Sequence, residues 1–440
     1  MPTSTTTVAP LVVRDALLVT QDPKRRIVRG DLRIDGGRFS HVGPGAPRDG
    51  AEEIDGRAFA AIPGFVNAHT HVAMSVLRGI ADDRELGGFL ETLFRVDARR
   101  TEADVEVAAR AGIAEMLLGG TTSFLDLYYF EDGVARAAES LGIRAFLGWA
   151  VLDADKTTQA GRPLDNARSF IGRWKERGVI TPLVAPQGVY VCDRETWLGA
   201  RELAEQTTGI CHFHLSETRR EVHEHEAKTG RRPVDWLEEI GFFGPGMVAA
   251  HTVWITGREI ETLARRRVGI AHCPSSNLKL ASGGVAPVVE LRAAGAVVGL
   301  GTDSVASNNS LSMLREMHVA GLVQKNQRWD ASVLSSQELL DFATIGGAQI
   351  LGRGELLGSL EVGKQADFSL VRLDHPSLLP ARPEAIVSHL AYSAEADAID
   401  SVFVAGRPVV RGRTLVHGRW DEIRTAAELA ADRLWADRPA

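Results

Sequence analysis

Strand-like and helix-like segments alternate along the middle of this chain, most clearly in residues 247–303, which read MVAAHTVWITGREIETLARRRVGIAHCPSSNLKLASGGVAPVVELRAAGAVVGLGTD. Apolar runs of strand length occupy 247–251, 268–272 and 296–303, and helix-like segments occupy 258–267 and 288–295. Short apolar runs separated by helical segments are typical of parallel strands joined by crossover helices. This stretch therefore predicts three consecutive strand–helix units of an α/β protein.

The same alternation begins earlier in the chain. Five more strand-like runs precede the stretch above, namely AIPGFVNAH, TTSFLDLY, RAFLGWAVL, TPLVAPQ and GICHFHL. Eight strands, most of them followed by a helix, predict a (β/α)₈ barrel, and the count favours it over a doubly wound open sheet. We predict the barrel over 61–360, one small β domain built from 1–60 and 361–420, and a C-terminal helix over 421–440.

Composition and charge exclude several classes of protein. The 440 residues are 44% hydrophobic and 24% charged, which excludes a mostly disordered or collagen-like chain. The net charge of −7 gives no basic excess, so we expect neither a nucleic acid nor an anionic membrane as partner. Three widely spaced cysteines without a CxxC pair indicate neither a zinc ribbon nor a disulfide scaffold. Without an export signal or an apolar run of 18 residues, we expect a cytoplasmic protein acting on a small molecule.

Histidines and an aspartate stand at the ends of the predicted strands, namely His69, His71, His214, His251 and Asp303. In a barrel, side chains at the carboxyl ends of the strands point into the active-site mouth. Residues i and i+2 of a strand share a face, so His69 and His71 can bind one metal ion. Three imidazoles and one carboxylate suit zinc or iron(II), which would lower the pKa of a bound water towards 7.

Three further residues near these strand ends leave alternatives open. His212 shares the strand face of His214 and could be the ligand in its place. Glu217 follows His214 by three residues, where a carboxylate can act as a general acid and base without occupying the metal. We interpret His272 as a structural or supporting residue.

Five motifs of this chain resemble those of the amidohydrolase superfamily: PGFVNAHTHVAMSVLRG (63–79), HLSET (214–218), AAHTVW (249–254), HCPSSNLKL (272–280) and GTDSVASNNSL (301–311). Within the superfamily they are similar to the methylthioadenosine/S-adenosylhomocysteine deaminases, near the chlorohydrolases and guanine deaminases. EVGKQADFSLV (361–371) resembles the return into that family's β-sandwich. The resemblance implies a (β/α)₈ barrel with a composite β-sandwich. It also implies a single divalent metal, because TPLVAPQ lacks the bridging lysine of two-metal members.

The resemblance also implies roles for individual residues. The matches to the family's metal ligands are His69, His71, His214 and Asp303. Glu217 matches the proton shuttle to the substrate's ring nitrogen, and His251 matches the residue that orients the hydrolytic water. The implied activity is hydrolytic deamination of an adenosine-type nucleoside such as methylthioadenosine, 5′-deoxyadenosine or S-adenosylhomocysteine. A homodimer or homotetramer is the implied assembly.

The residues predicted to bind substrate depart from the family's pattern. Gln187 stands where adenosine-type members carry the histidine of Pro-His-x-Pro-Tyr, and Asp97 aligns with a glutamate that binds ribose. Arg162 matches one of two arginines that bind a carboxylate, whereas Trp149 replaces the other. Losing a bidentate arginine makes S-adenosylhomocysteine itself a weaker candidate. The alternatives are a deaminase of a free purine, pyrimidine or pterin base, a triazine-type hydrolase, and a catalytically inactive scaffold.

Overall fold

The computed structural model describes residues 9–47, 49–84, 86–157, 159–175 and 177–436. Its strands are β1 (Leu11–Val19), β2 (Ile27–Asp35), β3 (Arg38–Gly43), β4 (Glu52–Asp55), β5 (Phe59–Pro63), β6 (Phe65–Thr70), β7 (Thr121–Tyr128), β8 (Arg144–Val151), β9 (Ile180–Pro186), β10 (Cys211–Leu215), β11 (Met247–His251), β12 (Gly269–His272), β13 (Val298–Leu300), β14 (Phe368–Arg372), β15 (Ile399–Val404), β16 (Arg407–Arg411) and β17 (Thr414–Leu415).

The helices that surround and connect these strands are α1 (Leu86–Asp97), α2 (Glu102–Leu118), α3 (Glu131–Leu141), α4 (Pro163–Trp174), α5 (Arg194–Gln206), α6 (Arg219–Thr229), α7 (Pro233–Glu239), α8 (Gly257–Arg265), α9 (Pro274–Lys279), α10 (Val288–Ala293), α11 (Val305–Asn308), α12 (Met313–Arg328), α13 (Ser336–Asp341), α14 (Gly347–Ile350), α15 (Ile386–Tyr392) and α16 (Trp420–Trp435). Among the described residues, none of the helices has both the length and the apolar character needed to cross a lipid bilayer.

Strands β6 to β13 form an eight-stranded parallel sheet in chain order. A parallel bridge between Thr70 and Asp303 links its first and last strands, and the Asp303 amide donates to the His69 carbonyl at 2.9 Å. Glycine at 301 allows this close approach, because a Cβ there would lie 2.7 Å from the Cβ of His69 and 2.8 Å from its amide nitrogen. The predicted (β/α)₈ barrel is therefore confirmed.

Alternate side chains of the barrel strands fill the interior, while their neighbours pack against the helices. All residues of β10 and β11 are buried, as expected for strands covered on both faces. Leu183, Ala185 and Ala250 belong to a buried cluster inside the barrel. Phe213 and Ala249 belong to the larger cluster between strands and helices. The side chains of β10 that share the interior with this first cluster are His212 and His214.

The two ends of the chain form a separate nine-stranded mixed sheet, in the order β17-β16-β15-β14-β5-β1-β2-β3 with β4 paired to β1. Phe368 and Phe403 stack at 4.4 Å between ring centroids in its core. The predicted second unit made from both termini is thus present as a sheet. The domain boundaries at 60, 361 and 421 stay a prediction. Residues 1–8 and 437–440 of the predicted segments lie outside the described residues.

Candidate metal centre and catalytic site

The structure brings the four predicted metal ligands together at the carboxyl end of the barrel. Asp303 Oδ1 lies 3.4 Å from His69 Nε2 and 3.2 Å from His71 Nε2. His214 Nε2 lies 3.3 Å from His71 Nε2. Ligand atoms of His69, His71 and His214 all lie within 4.8 Å of one another. Three imidazole nitrogens and one carboxylate oxygen thus converge on a single point.

Hydrogen bonds behind two of these histidines set which ring nitrogen faces the centre. His71 Nδ1 lies 2.6 Å from the Leu127 carbonyl, and His214 Nδ1 lies 2.8 Å from the Gln187 carbonyl. A carbonyl can only accept, so Nδ1 carries the proton in both rings and Nε2 presents a lone pair. Both lone pairs point to the centre, as metal ligation requires.

The His69 ring also carries its proton on Nδ1, but the group that accepts this hydrogen bond is another histidine instead of a carbonyl. Its Nδ1 lies 2.7 Å from His212 Nε2, and His212 Nδ1 lies 3.0 Å from the Val248 carbonyl. The His69 Nε2 atom is buried and has no hydrogen-bond partner. Both nitrogens of His212 are engaged, so of the two histidines on β10 it is His214 that faces the centre. Burial lowers the pKa of His212 to about 3 and the pKa values of His69 and His214 well below 6.5, so these three imidazoles are neutral. Burial also acts to lower the pKa of His71, but the adjacent Asp303 carboxylate outweighs it and raises that pKa above 6.5, so a cation binding here displaces a proton from His71.

Asp303 is an ionised carboxylate held on its outer side. Its Oδ2 accepts hydrogen bonds from the hydroxyls of Ser276 and Ser307. Burial opposes ionisation, but the adjacent His71 ring, whose own pKa is raised, outweighs it and holds the pKa of Asp303 well below its usual range. The donor set fits a divalent metal ion, because neutral imidazoles and one carboxylate are characteristic zinc ligands.

Four residues at the same strand ends have a left-handed backbone conformation. Ser216, His251, Thr252 and Asp303 have φ values of 49°, 72°, 49° and 56°. Non-glycine residues adopt this region at a free-energy cost, and such residues cluster at functional sites. At these positions the strain turns the chain out of the strand direction just where the predicted site residues stand.

Glu217 lies beside this donor set at the start of the loop after β10. Its Oε2 is 3.9 Å from His251 Nε2, and burial raises the pKa of the Glu217 carboxyl. The Glu221 carboxylate fixes the loop by accepting from the amides of Ser216 at 2.9 Å and Glu217 at 2.8 Å. A raised pKa brings this carboxyl closer to the range in which one group can both deliver and accept a proton.

His251 has one nitrogen held from behind and one that faces the site. Asn277 Nδ2 lies 3.1 Å from His251 Nδ1. With the amide nitrogen as donor, Nδ1 accepts and the ring proton resides on Nε2. His251 Nε2 is therefore a hydrogen-bond donor pointing towards Glu217 and the metal ligands.

A cavity opens over these groups, with about 710 Å³ of empty space. One wall is the inner face of α1, which contributes Phe89, Leu93, Phe94 and Asp97. Positions i, i+4, i+5 and i+8 lie on one face of a helix. Further apolar or aromatic lining comes from Met74, Tyr128, Tyr129, Ala150, Tyr190 and Leu280. An apolar cleft over a few polar groups is the usual form of a small-molecule site.

Two of the predicted substrate residues, Asp97 and Gln187, line this cavity. Asp97 accepts a hydrogen bond from the Tyr128 hydroxyl and lies 3.5 Å from the Arg100 guanidinium. Burial raises the pKa of Asp97 despite the charge of Arg100. The Gln187 side chain faces the cavity, while its carbonyl holds His214.

The structure does not bring Trp149 and Arg162 to the cavity; neither is among the described residues that line it. Trp149 packs against Phe170 of α4, with ring centroids 5.9 Å apart, on the helix side of β8. Its neighbour Ala150 faces the cavity, because successive strand residues point to opposite faces. Arg162 is exposed and precedes α4.

Sequence reasoning missed the side chains that hold the site residues from behind: Ser276, Asn277, Ser307 and Glu221. The first three stand inside HCPSSNLKL and GTDSVASNNSL, whose similarity to family motifs was visible without indicating a contact. Glu221 follows Glu217 by four residues, but on α6 it resembles any other surface acid. Only the folded geometry assigns these residues their partners.

The sequence profile of the amidohydrolase family matches residues 60–409. This chain belongs to the amidohydrolase family. The match covers the whole barrel and most of the returning sheet, and with it all of the converging residues described above. Membership explains why the barrel and the mixed sheet occur together in one chain.

Relatives of this amidohydrolase include named deaminases. It is 39% identical over 438 residues to a 5-methylthioadenosine/S-adenosylhomocysteine deaminase of Thermodesulfovibrio yellowstonii, covering 97% of this chain and 98% of that one. It is 39% identical over 371 residues to a 5′-deoxyadenosine deaminase of Methanothrix thermoacetophila, covering 84% and 87%.

Solved structures with the same fold include enzymes described as binding zinc. An adenosine deaminase from Xanthomonas campestris with bound zinc superposes with a TM-score of 0.92 at 32% identity, covering 97% of this chain and 98% of that one. An atrazine chlorohydrolase from Arthrobacter aurescens in complex with zinc gives 0.89 at 27% identity, covering 96% and 100%.

Proposed function

We propose that this amidohydrolase is a metal-dependent deaminase that releases ammonia from an adenosine-type nucleoside with a substituted or reduced 5′ position. The observation that carries the proposal is the position of the Glu217 carboxyl next to His251 and the converging donor atoms, under an apolar cavity. Relatives with 39% identity that are named methylthioadenosine/S-adenosylhomocysteine and 5′-deoxyadenosine deaminases support this substrate class.

The proposed metal ligands are the Nε2 atoms of His69, His71 and His214 and the Oδ1 atom of Asp303. Zinc is the proposed ion, supported by the zinc in the related structures from Xanthomonas and Arthrobacter. When bound, a zinc ion would lower the pKa of a water at this site towards 7, so that hydroxide would be available at neutral pH.

The proposed reaction gives each side chain a defined proton transfer or hydrogen bond. Asp303 accepts the proton that leaves the attacking water. Glu217 donates its proton to the ring nitrogen next to the carbon under attack and then takes up the proton of the hydroxyl added to that carbon. It thereby helps to release the amine, which leaves as ammonia with the proton that Asp303 had accepted. The His251 Nε2 proton points to the same region and stabilises the charge that develops there.

Substrate binding is proposed to use the cavity wall. Asp97 and Gln187 are the polar groups placed to contact the sugar and the heterocycle, and the apolar face of α1 suits an uncharged 5′ group. Free, buried thiols at Cys192, Cys211 and Cys273 support action in a reducing compartment such as the cytoplasm.

The test is ammonia release by the zinc-loaded protein from a substrate panel. The nucleosides are adenosine, 5′-deoxyadenosine, methylthioadenosine and S-adenosylhomocysteine; the controls are adenine, guanine, cytosine, a pterin and an aminated triazine. Turnover confined to the nucleosides is expected. Turnover of a free base or of the triazine alone would replace the substrate class, and no turnover by fully zinc-loaded protein would contradict the proposal.

A further inference from the structure

The three histidines of the proposed metal site are not held in the same way. His71 and His214 each donate from Nδ1 to a backbone carbonyl. His69 instead donates to the ring of another histidine, His212, at 2.7 Å. Both rings of this pair are completely buried, so no water competes for the contact.

The Val248 carbonyl decides which ring of the pair donates the hydrogen bond and which ring accepts it. The Val248 carbonyl, 3.0 Å from His212 Nδ1, can only accept a hydrogen bond. The single ring proton of neutral His212 is therefore on Nδ1, and its Nε2 can only accept. His69 must then carry its proton on Nδ1, which leaves Nε2 without a proton and directed at Asp303 Oδ1, 3.4 Å away.

We propose that His212 is a positioning residue for the metal: it holds the proton of His69 on Nδ1 and thereby keeps His69 Nε2 free to bind the ion. This role rests on the proposed metal site but not on the identity of the substrate. His212 does not contact the ion itself, since both of its nitrogens are engaged by protein atoms.

An imidazole acceptor differs from the carbonyls behind the other two ligands. An imidazole nitrogen is a stronger base than a carbonyl oxygen, so it draws the Nδ1 proton more strongly and raises the basicity of Nε2. Without it, the buried His69 N–H would lack an acceptor, which is costly inside a protein. The ring could escape that cost by moving its proton to Nε2 and donating to Asp303, and in that tautomer Nε2 has no lone pair to offer the ion.

Zinc affinity of two variants at this position tests the role. His212→Leu removes the acceptor at similar volume, and His212→Gln keeps an oxygen that can accept from His69. We expect the zinc dissociation constant, measured by competition with a chromophoric chelator, to rise 10- to 100-fold for His212→Leu, the range seen when a partner of a metal ligand is removed. His212→Gln should recover most of that loss.

His272→Leu is the matched control. His272 is also a buried histidine at a barrel strand end, but neither of its ring nitrogens has a hydrogen-bond partner among the described residues. We expect its zinc affinity to equal that of the unmodified protein. Equal zinc affinity for His212→Leu and His272→Leu would overturn the proposal.

A second measurement needs no variant and so does not depend on folding of His212→Leu. Long-range ¹H–¹⁵N spectra of the zinc-free protein, labelled at histidine nitrogen, report which ring nitrogen carries each proton. We expect the ring proton on Nδ1 in both His69 and His212. A ring proton on Nε2 of His212 would contradict the proposed role of His212. Ammonia release is scored separately, so a protein that binds zinc but deaminates nothing would refute the proposed function and leave this inference standing.

Discussion

Each side chain of the proposed metal site offers one atom to the centre and has its other polar atom held by the protein. Leu127 and Gln187 carbonyls hold two of the imidazoles, and the hydroxyls of Ser276 and Ser307 hold the outer oxygen of Asp303. Groups restrained in this way need little reorganisation when an ion or a substrate binds. The geometry is therefore set before the ligand arrives.

Glu217→Gln tests the proton transfer at this scale. Glutamine keeps the shape of the side chain but cannot pass a proton, so we expect turnover to fall about 10²- to 10⁴-fold. Zinc content should not change, because Glu217 is not among the converging ligand atoms. Steady-state ammonia release and metal analysis measure the two quantities.

Glu224→Gln is the control for that substitution, because its exposed carboxylate pairs with Arg220 on the surface of α6. It should retain full activity. Undiminished turnover in Glu217→Gln would remove that residue from the mechanism.

Single residues also show where sequence reasoning reaches its limit. The histidines and Asp303 could be predicted because each stands at a strand end, and a barrel directs all strand ends to one mouth. Trp149 was predicted to contact substrate, but its side chain lies on the helix side of β8 beside Phe170. Successive residues of a strand point to opposite faces, and on β8 it is Ala150 that lines the cavity.

Among the secondary-structure elements, α1 determines most of the cavity's apolar wall. Its sequence, LGGFLETLFRVD, has two glycines in the first turn, which weaken the helical signal, and the sequence analysis did not predict this helix. The strands could be predicted because their apolar runs are nearly continuous. A helix that packs over a site follows from tertiary contacts that its local sequence does not encode.

Phe94→Ala tests the contribution of α1. The Phe94 ring lines the cavity and is 47% exposed, so it lies at the mouth of the cavity. Loss of its apolar contact should raise KM for the nucleoside about 5- to 30-fold, corresponding to roughly 1–2 kcal/mol, with kcat nearly unchanged. Initial-rate kinetics over a range of substrate concentrations separate the two constants.

Trp329→Ala is the matched control, since this ring is 96% exposed at the end of α12. Its KM should not change. A loss of kcat rather than a rise in KM in Phe94→Ala would contradict a binding role for the α1 face.

At the scale of the whole molecule, the barrel and the terminal sheet follow from different kinds of information. Eight apolar runs predict the barrel, and the β-rich ends predict a shared sheet. The order of strands within that sheet, with β5 between β1 and β14, depends on pairing between residues over 300 positions apart. Local patterns do not specify such pairing, and the same holds for the contact of His69 with His212.

At the scale of the whole molecule, Glu316 makes a contribution to stability that should shrink as pH rises through the weakly acidic range. This carboxyl is buried between Asn308 and the amide of Ser275, and burial raises its pKa from 4.5 to about 7. Between these two values the folded protein holds a proton that the unfolded chain has released. Stability from this group is therefore present at pH 4.5 and is lost as pH rises towards 7.

Glu316→Gln removes this titration, because the amide does not ionise. At each pH, the variant's free energy of unfolding is subtracted from that of the unmodified protein. This difference should fall by at most about 3 kcal/mol between pH 5 and 8. Any constant cost of the amide beside Ser275 cancels, since the prediction concerns only the change with pH. Urea unfolding of the two zinc-free proteins at a series of pH values measures this difference. If this difference does not change with pH, Glu316 has the same proton affinity in the folded and the unfolded chain. The buried carboxyl would then be as well stabilised in its ionised form as it is in water, which would contradict the prediction.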